Sequence, residues 1–122
     1  MSQAPRLFLI LDDEESIRQS IAAFMEDEGY RVFQAESSEQ ALEIIRIHPI
    51  DDAVVDIRLP GQDGNSFMLE AIKIRPKIKF VVHTGSADYI PPKAIQALGV
   101  TLDKVLIKPA SDLNLICDAL KR

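Results

Sequence analysis

The chain has 122 residues, 47% of them hydrophobic and 27% charged, with a formal net charge of −5, the profile of one ordinary globular domain with no room for a second. A single cysteine, Cys117, excludes an internal disulfide and a thiolate metal cluster, so the fold must rest on its apolar core. The acidic balance disfavours direct nucleic-acid binding by the domain, because neutralising phosphates takes clustered Lys and Arg.

Residues 1–5 read as an N-terminal tail and residues 6–122 as the domain. The tail has no signal-peptide pattern, and the apolar run that follows it is far shorter than the ~20 residues of a membrane span. The expectation is a cytoplasmic protein without a membrane contact.

Five short apolar runs, at 7–11, 32–35, 53–55, 80–82 and 105–107, are too short for helices and rich in Val, Ile, Leu and Phe, which predicts strands. Their apolar character is continuous rather than alternating, as strands buried on both faces of a parallel sheet require. Helices should fill the intervals. After the first run, Ile17, Ile21, Phe24 and Met25 recur at helical spacing and Gly29 offers a left-handed stop. After the second, Ser37 and Gln40 suggest a capping box ahead of Ala41, Leu42, Ile44 and Ile45. Phe67, Met68, Ala71 and Ile72 form a third stripe behind Gly64. Pro91 and Pro92 forbid an unbroken fourth helix, so a loop and a short helix near 93–98 are expected. Leu113, Ile116, Cys117 and Leu120 form the last stripe, with Ser111 as its expected cap. Five β-α units joined by right-handed crossovers predict a three-layer, doubly wound α/β sandwich around a parallel five-stranded sheet, with an irregular or shortened fourth helix.

In such a sheet, ligands bind beyond the carboxyl ends of the strands. The first β-α turn reads Leu11-Asp12-Asp13-Glu14-Glu15 and has no glycine cradle, so it suits a cation rather than a dinucleotide. Asp12 and Asp13 end the first run, Asp56 the third, Thr84 the fourth and Lys108 the fifth. Charge is divided along the chain: residues 1–61 hold 5 basic and 13 acidic side chains, residues 62–122 hold 9 and 6. Two unit charges ~4 Å apart repel by roughly 4 kcal/mol at an effective dielectric of 20, so three carboxylates in one crevice need compensation. Hard oxygen donors without His or Cys, on a site that retains several waters, suit Mg²⁺ better than Ca²⁺. An aspartate beside a cation and a lysine can act as a nucleophile toward a phosphoryl group. Alone, each residue has an ordinary reading: the acid pair as a helix cap, Asp56 as a turn residue, Lys108 as a solvated lysine. Their joint placement at strand ends is what argues for a site.

This constellation resembles the receiver domain of two-component response regulators over essentially the whole chain. The matching pieces are Asp12-Asp13, Asp56-Ile57-Arg58-Leu59-Pro60 followed by Gly64, Thr84-Gly85 and Lys108-Pro109. The resemblance implies the strand order 2-1-3-4-5. It implies that Asp56 accepts a phosphoryl group from a sensor histidine kinase or a histidine phosphotransfer protein, in a Mg²⁺-dependent reaction that switches binding to a downstream protein target or fused output domain. By the same resemblance Asp13 ligates the metal directly and Asp12 mainly through water, with Asp56 and the backbone carbonyl of Arg58 completing the protein ligands. Thr84 is then the switch hydroxyl, Lys108 pairs with a phosphoryl oxygen, and the Lys108–Pro109 bond is cis. Such a domain catalyses only its own modification and is not a turnover enzyme.

The chain departs from the family at Val105, where Tyr or Phe is usual three residues before the lysine, and at Pro91-Pro92. Arg58 and Ser86 occupy the positions that tune phosphoryl hydrolysis in the family, and a long cationic Arg58 is expected to shield the phosphoryl group from water. His83 is expected to be a packed, hydrogen-bonded histidine facing away from Thr84, His48 to have no catalytic role, Cys117 to be core, and Tyr89 to pack a loop. Two other classes stay open. A dehalogenase-like phosphatase shares the carboxylates, metal and lysine, but places a second aspartate where Arg58 stands and carries a cap domain. A binding module that signals without phosphorylation is the other, suggested by Val105 and the altered fourth helix.

Overall fold

The computed structural model describes residues 4–110 and 112–122. The elements alternate as β1 (Leu7–Leu11), α1 (Glu15–Asp27), β2 (Arg31–Ala35), α2 (Ser38–Ile47), β3 (Asp52–Val55), α3 (Gly64–Ile74), β4 (Lys79–Thr84), α4 (Lys93–Gln96), a 3-10 turn (Leu102–Lys104), β5 (Val105–Ile107) and α5 (Asn114–Leu120). All strand pairs are parallel, and the order is β2-β1-β3-β4-β5. The expected doubly wound sandwich is therefore the fold, and its order is the one the resemblance implied.

Alternation along each strand divides the core in two. Leu9, Leu11, Ala53, Val55, Phe80 and Val82 point to one face, where α2, α3 and α4 cover them with Leu42, Ile45, Phe67, Met68 and Ile95. Phe8, Ile10, Val54 and Val81 point to the other, under Ile21 and Met25 of α1 and Ile116, Cys117 and Leu120 of α5. The central strands bury both faces, which is why the apolar runs inside them, at 53–55 and 80–82, do not alternate with polar residues. The edge strands β2 and β5 are only partly covered. Cys117 is core as expected, its Sγ 3.9 Å from Met25 Sδ.

Local chemistry sets most helix ends. Gly29, at φ +96°, closes α1 in a Schellman arrangement, with Tyr30 N–H donating to Met25 O and Gly29 N–H to Glu26 O. Ser37 accepts from Gln40 N–H; the reciprocal bond of the expected capping box is displaced by one residue, since Gln40 Oε1 accepts from Glu36 N–H. Asp63, which the periodicity did not single out, caps α3 through Ser66 N–H. The fourth helix is shorter than expected, four residues after Pro92, and the chain leaves it through Gly99 at φ +95°. Ser111, the expected cap of α5, lies outside the described residues. Asp112 Oδ1 accepts from Asn114 N–H at the start of that helix. Among the described residues no helix is long and apolar enough to cross a membrane.

Candidate functional site

The carboxyl ends of β1, β3, β4 and β5 meet at one edge of the sheet. Asp12 N–H donates to Ala35 O and Asp56 N–H to Leu11 O, so the parallel ladder continues one residue past the strands and places both carboxylates side by side. Asp12 and Asp56 are buried, at 2% and 4% exposure, while Asp13 is exposed. One oxygen from each of Asp12, Asp13 and Asp56 lies within 4.8 Å of the others.

Asp12 does not cap α1. Its Oδ1 accepts from Glu14 N–H two residues on, a turn that aims its other oxygen into the crevice. Behind this loop, Arg18 Nη1 donates to Asp12 O at 2.8 Å.

Lys108 reaches the crevice from beyond β5. Its Nζ lies 2.8 Å from Asp12 Oδ2, 2.9 Å from Asp56 Oδ2 and 3.3 Å from Glu14 Oε1. The Lys108–Pro109 bond is cis, and Lys108 N–H donates to Thr84 O at 2.8 Å, which ties the ends of β4 and β5 together.

Burial pushes the Asp56 pKa up, and the Asp12 and Asp13 charges add to that; the hydrogen bond and charge of Lys108 oppose it without reversing it. Burial alone would lower Lys108, but its hydrogen bonds to Asp12 and Asp56 outweigh this and raise its pKa. The ammonium therefore stays charged, and it is shared between two buried carboxylates.

A cavity of about 340 Å³ opens over this cluster, lined by Asp13, Glu14, Asp56, Arg58, Gly85, Ser86 and Lys108. Of the residues read from the sequence, Lys108 contacts Asp12 and Asp56 directly, Asp13 lies beside them, and Arg58 stands on the cavity wall. Thr84 does not line it. It is fully buried behind the cavity, its Oγ1 accepting from Ser86 N–H at 3.2 Å. Glu14 and Arg18 are the members that sequence reasoning passed over. The acid run at 12–15 was the available signal for Glu14, but nothing in it distinguishes Glu14, which reaches Lys108, from Glu15.

His83 behaves as expected in part. It is buried on the α1/α5 side, and its Nε2 accepts from Ala110 N–H at 3.3 Å. Its Nδ1 is buried without a hydrogen-bond partner among the described residues. Burial and then Lys108 lower its pKa. His48 stacks on Phe33 with ring centroids 4.4 Å apart and lies apart from the cluster.

The family model for the response regulator receiver domain matches residues 8–121. The chain belongs to the response regulator receiver domain family. This receiver domain is 33% identical to response regulator GtcR of Aneurinibacillus migulanus over 111 residues, 91% of the chain and 45% of that protein. Among solved structures it is similar to a response regulator of Burkholderia pseudomallei crystallised with a phosphorylated aspartic acid, calcium ion and citrate, at TM-score 0.83 and 28% identity over 94% of this chain and 66% of that one. It is also similar to chemotaxis protein CheY4 of Vibrio cholerae, at TM-score 0.81 and 25% identity over 98% of both chains. The chain spans about half the length of the curated relatives it matches first. Membership places this receiver domain in two-component phosphoacceptor signalling, and its three clustered carboxylates suit a divalent metal.

Proposed function

We propose that Asp56 is the phosphoacceptor of this receiver domain, in a reaction that depends on Mg²⁺. The observation that carries the reading is the single ammonium, Lys108, held within 3 Å of both Asp12 and Asp56. A cation placed there stabilises negative charge as it develops on phosphoryl oxygens.

In the transfer, an Asp56 carboxylate oxygen attacks the phosphorus of a phosphohistidine on a sensor kinase or a histidine phosphotransfer protein. The oxygen–phosphorus bond forms as the phosphorus–nitrogen bond breaks, and the imidazole leaves with the electron pair. Lys108 neutralises the phosphoryl oxygens from one side, and Thr84, moved forward from its place behind the cavity, donates its hydroxyl to them.

The donor set fits a hard cation, being carboxylate oxygens with no soft ligand in the cluster. Asp12, Asp13, Asp56 and the Arg58 backbone carbonyl would hold it. When bound, Mg²⁺ supplies positive charge that offsets the carboxylate repulsion and polarises the phosphoryl oxygens. The domain modifies only itself, and the change in its surface is read by a downstream protein target or an output domain of the same protein, in the cytoplasm.

The test is incubation with Mg²⁺ and acetyl phosphate, followed by intact mass. The expected result is a gain of one phosphoryl group in the wild type and none in Asp56→Ala or with chelator. A folded wild type that gains nothing from acetyl phosphate or from a phosphohistidine donor overturns the reading and favours a module that signals without phosphorylation.

A further inference from the structure

The switch segment that follows β4 is tied to the phosphoacceptor loop by one side-chain hydrogen bond. Tyr89 Oη donates to Asn65 Oδ1 at 2.6 Å. Tyr89 is half-buried, and its ring packs against the α2/α3 core while its hydroxyl reaches Asn65.

The two partners differ in freedom. Asn65 follows Gly64, whose N–H donates to Ile57 O at 2.9 Å, and Asp63 caps the same turn. There is no slack at that end, because Gly64 lies against the Asp56 and Ile57 backbone so closely that a Cβ would collide with it. Tyr89 belongs to a looser chain of contacts: its N–H donates to Ser86 O, and Ser86 N–H donates to Thr84 Oγ1. These two hydrogen bonds would couple any movement of Thr84 toward a phosphoryl group on Asp56 to Ser86 and Tyr89, whereas Asn65 is held by the Gly64 turn. The strain of that movement falls on the Tyr89–Asn65 bond.

The neighbouring strand offers no polar alternative, since β5 is Val-Leu-Ile and none of these side chains can hydrogen-bond to the segment. On the far side of Tyr89, Pro91 O accepts from Gln96 Nε2 at 2.8 Å, which links the diproline to α4.

We propose that the Tyr89–Asn65 hydrogen bond is a latch that holds the Thr84 segment in its unphosphorylated position, with Tyr89 as the positioning residue for the switch hydroxyl. The proposal rests on the phosphoacceptor reading above. Releasing the latch raises the population of the conformation that accommodates the phosphoryl group, and phosphorylation releases it.

The experiment uses the full chain. Phosphoryl gain from acetyl phosphate and Mg²⁺ is timed by intact mass in wild type, Tyr89→Phe, Asn65→Ala and the double variant. Tyr89→Phe keeps the ring, and Asn65→Ala removes the acceptor should the first variant fold poorly. The loss of one hydrogen bond predicts a rate about two- to tenfold above wild type in each single variant, with no further gain in the double. A residue that merely supports the fold would lower melting temperature without this pattern. In parallel, wild type carrying 3-fluorotyrosine has two resonances to follow, Tyr30 and Tyr89; that of Tyr89 is expected to shift on phosphorylation and that of Tyr30 to stay. Equal rates in wild type and both single variants, or a Tyr89 resonance that stays put while the mass rises, overturns the latch and leaves the phosphoacceptor reading standing. A wild type that gains no mass overturns both.

Discussion

Lys108 Nζ lies 2.9 Å from Asp56 Oδ2, and the same ammonium lies 2.8 Å from Asp12 Oδ2. One lysine is thus shared by the buried acid pair and offsets only part of its charge. It is also the group that would meet the phosphoryl oxygens, so its removal should affect the two events in opposite directions. Lys108→Ala is expected to bind Mg²⁺ more tightly, because a competing cation has gone, and to accept phosphoryl groups on the order of a hundredfold more slowly. Calorimetric Mg²⁺ titration and intact-mass kinetics would measure both. An unchanged transfer rate would remove Lys108 from the chemistry.

Asp56 should weaken the metal-free fold at neutral pH. Its folded pKa is raised above the ordinary 3.8, by burial first and by Asp12 and Asp13 after that. A carboxyl raised in this way disfavours the folded state while ionised, and that penalty fades as pH falls through the raised value toward 3.8. Asp56→Asn without metal is therefore expected to melt above wild type at pH 7, with the gap closing on acidification. A gap that widens at low pH would contradict this sign.

Gly64 carries packing rather than a special backbone angle. A Cβ there would run into the Asp56 carbonyl oxygen and stand 2.9 Å from Ile57 Cα, and backbone on both sides cannot yield cheaply. Gly64→Ala should cost about 1–3 kcal/mol in urea unfolding and slow phosphorylation by displacing Asp56. Full stability in that variant would mean the loop can shift freely.

Arg58 and Ser86 both line the cavity over Asp56, and Arg58 is exposed enough to swing across it. Shielding by the long cation predicts a phosphorylated form that outlives that of Arg58→Asn severalfold, because excluding water from the site slows hydrolysis. The decay of the added mass after removal of acetyl phosphate is the measurement, and equal lifetimes would exclude shielding.

His83 is neutral in the fold, its pKa lowered from 6.5 by burial and then by Lys108. Its Nε2 accepts from Ala110 N–H, so protonation would break that bond. The sign follows: stability is full above pH 6.5 and declines as pH falls below it, because the unfolded chain takes up the proton more readily. His83→Gln, which keeps an acceptor but cannot titrate, should show a flatter melting temperature between pH 7 and 5. Parallel curves for the two proteins would place the titration elsewhere.

Much of this was legible beforehand. Runs such as 53–55, buried at every position, announce themselves because a strand covered on both faces has no reason to alternate, whereas Asp52, which extends that strand, does not. Pro91 and Pro92 marked the broken fourth helix for an equally local reason, the missing N–H and fixed φ of proline. The Asp63 cap was not singled out, since an Asp before a Gly reads as well for a turn as for a helix start. Glu14 escaped because its partner, Lys108, lies 94 residues away.

By itself the sequence determined the β-α alternation, the two-sided burial of the sheet and which polar residues end the strands, because periodicity and chain-breaking residues act over a few positions. Only the tertiary structure decided that Lys108 divides itself between Asp12 and Asp56, that Thr84 sits behind the cavity rather than on its wall, and that Tyr89 is bonded to Asn65. The Lys108 and Tyr89 contacts join positions far apart in the chain, and the depth of Thr84 depends on its neighbouring strands, so all three exist only once the parallel register has brought the strand ends together.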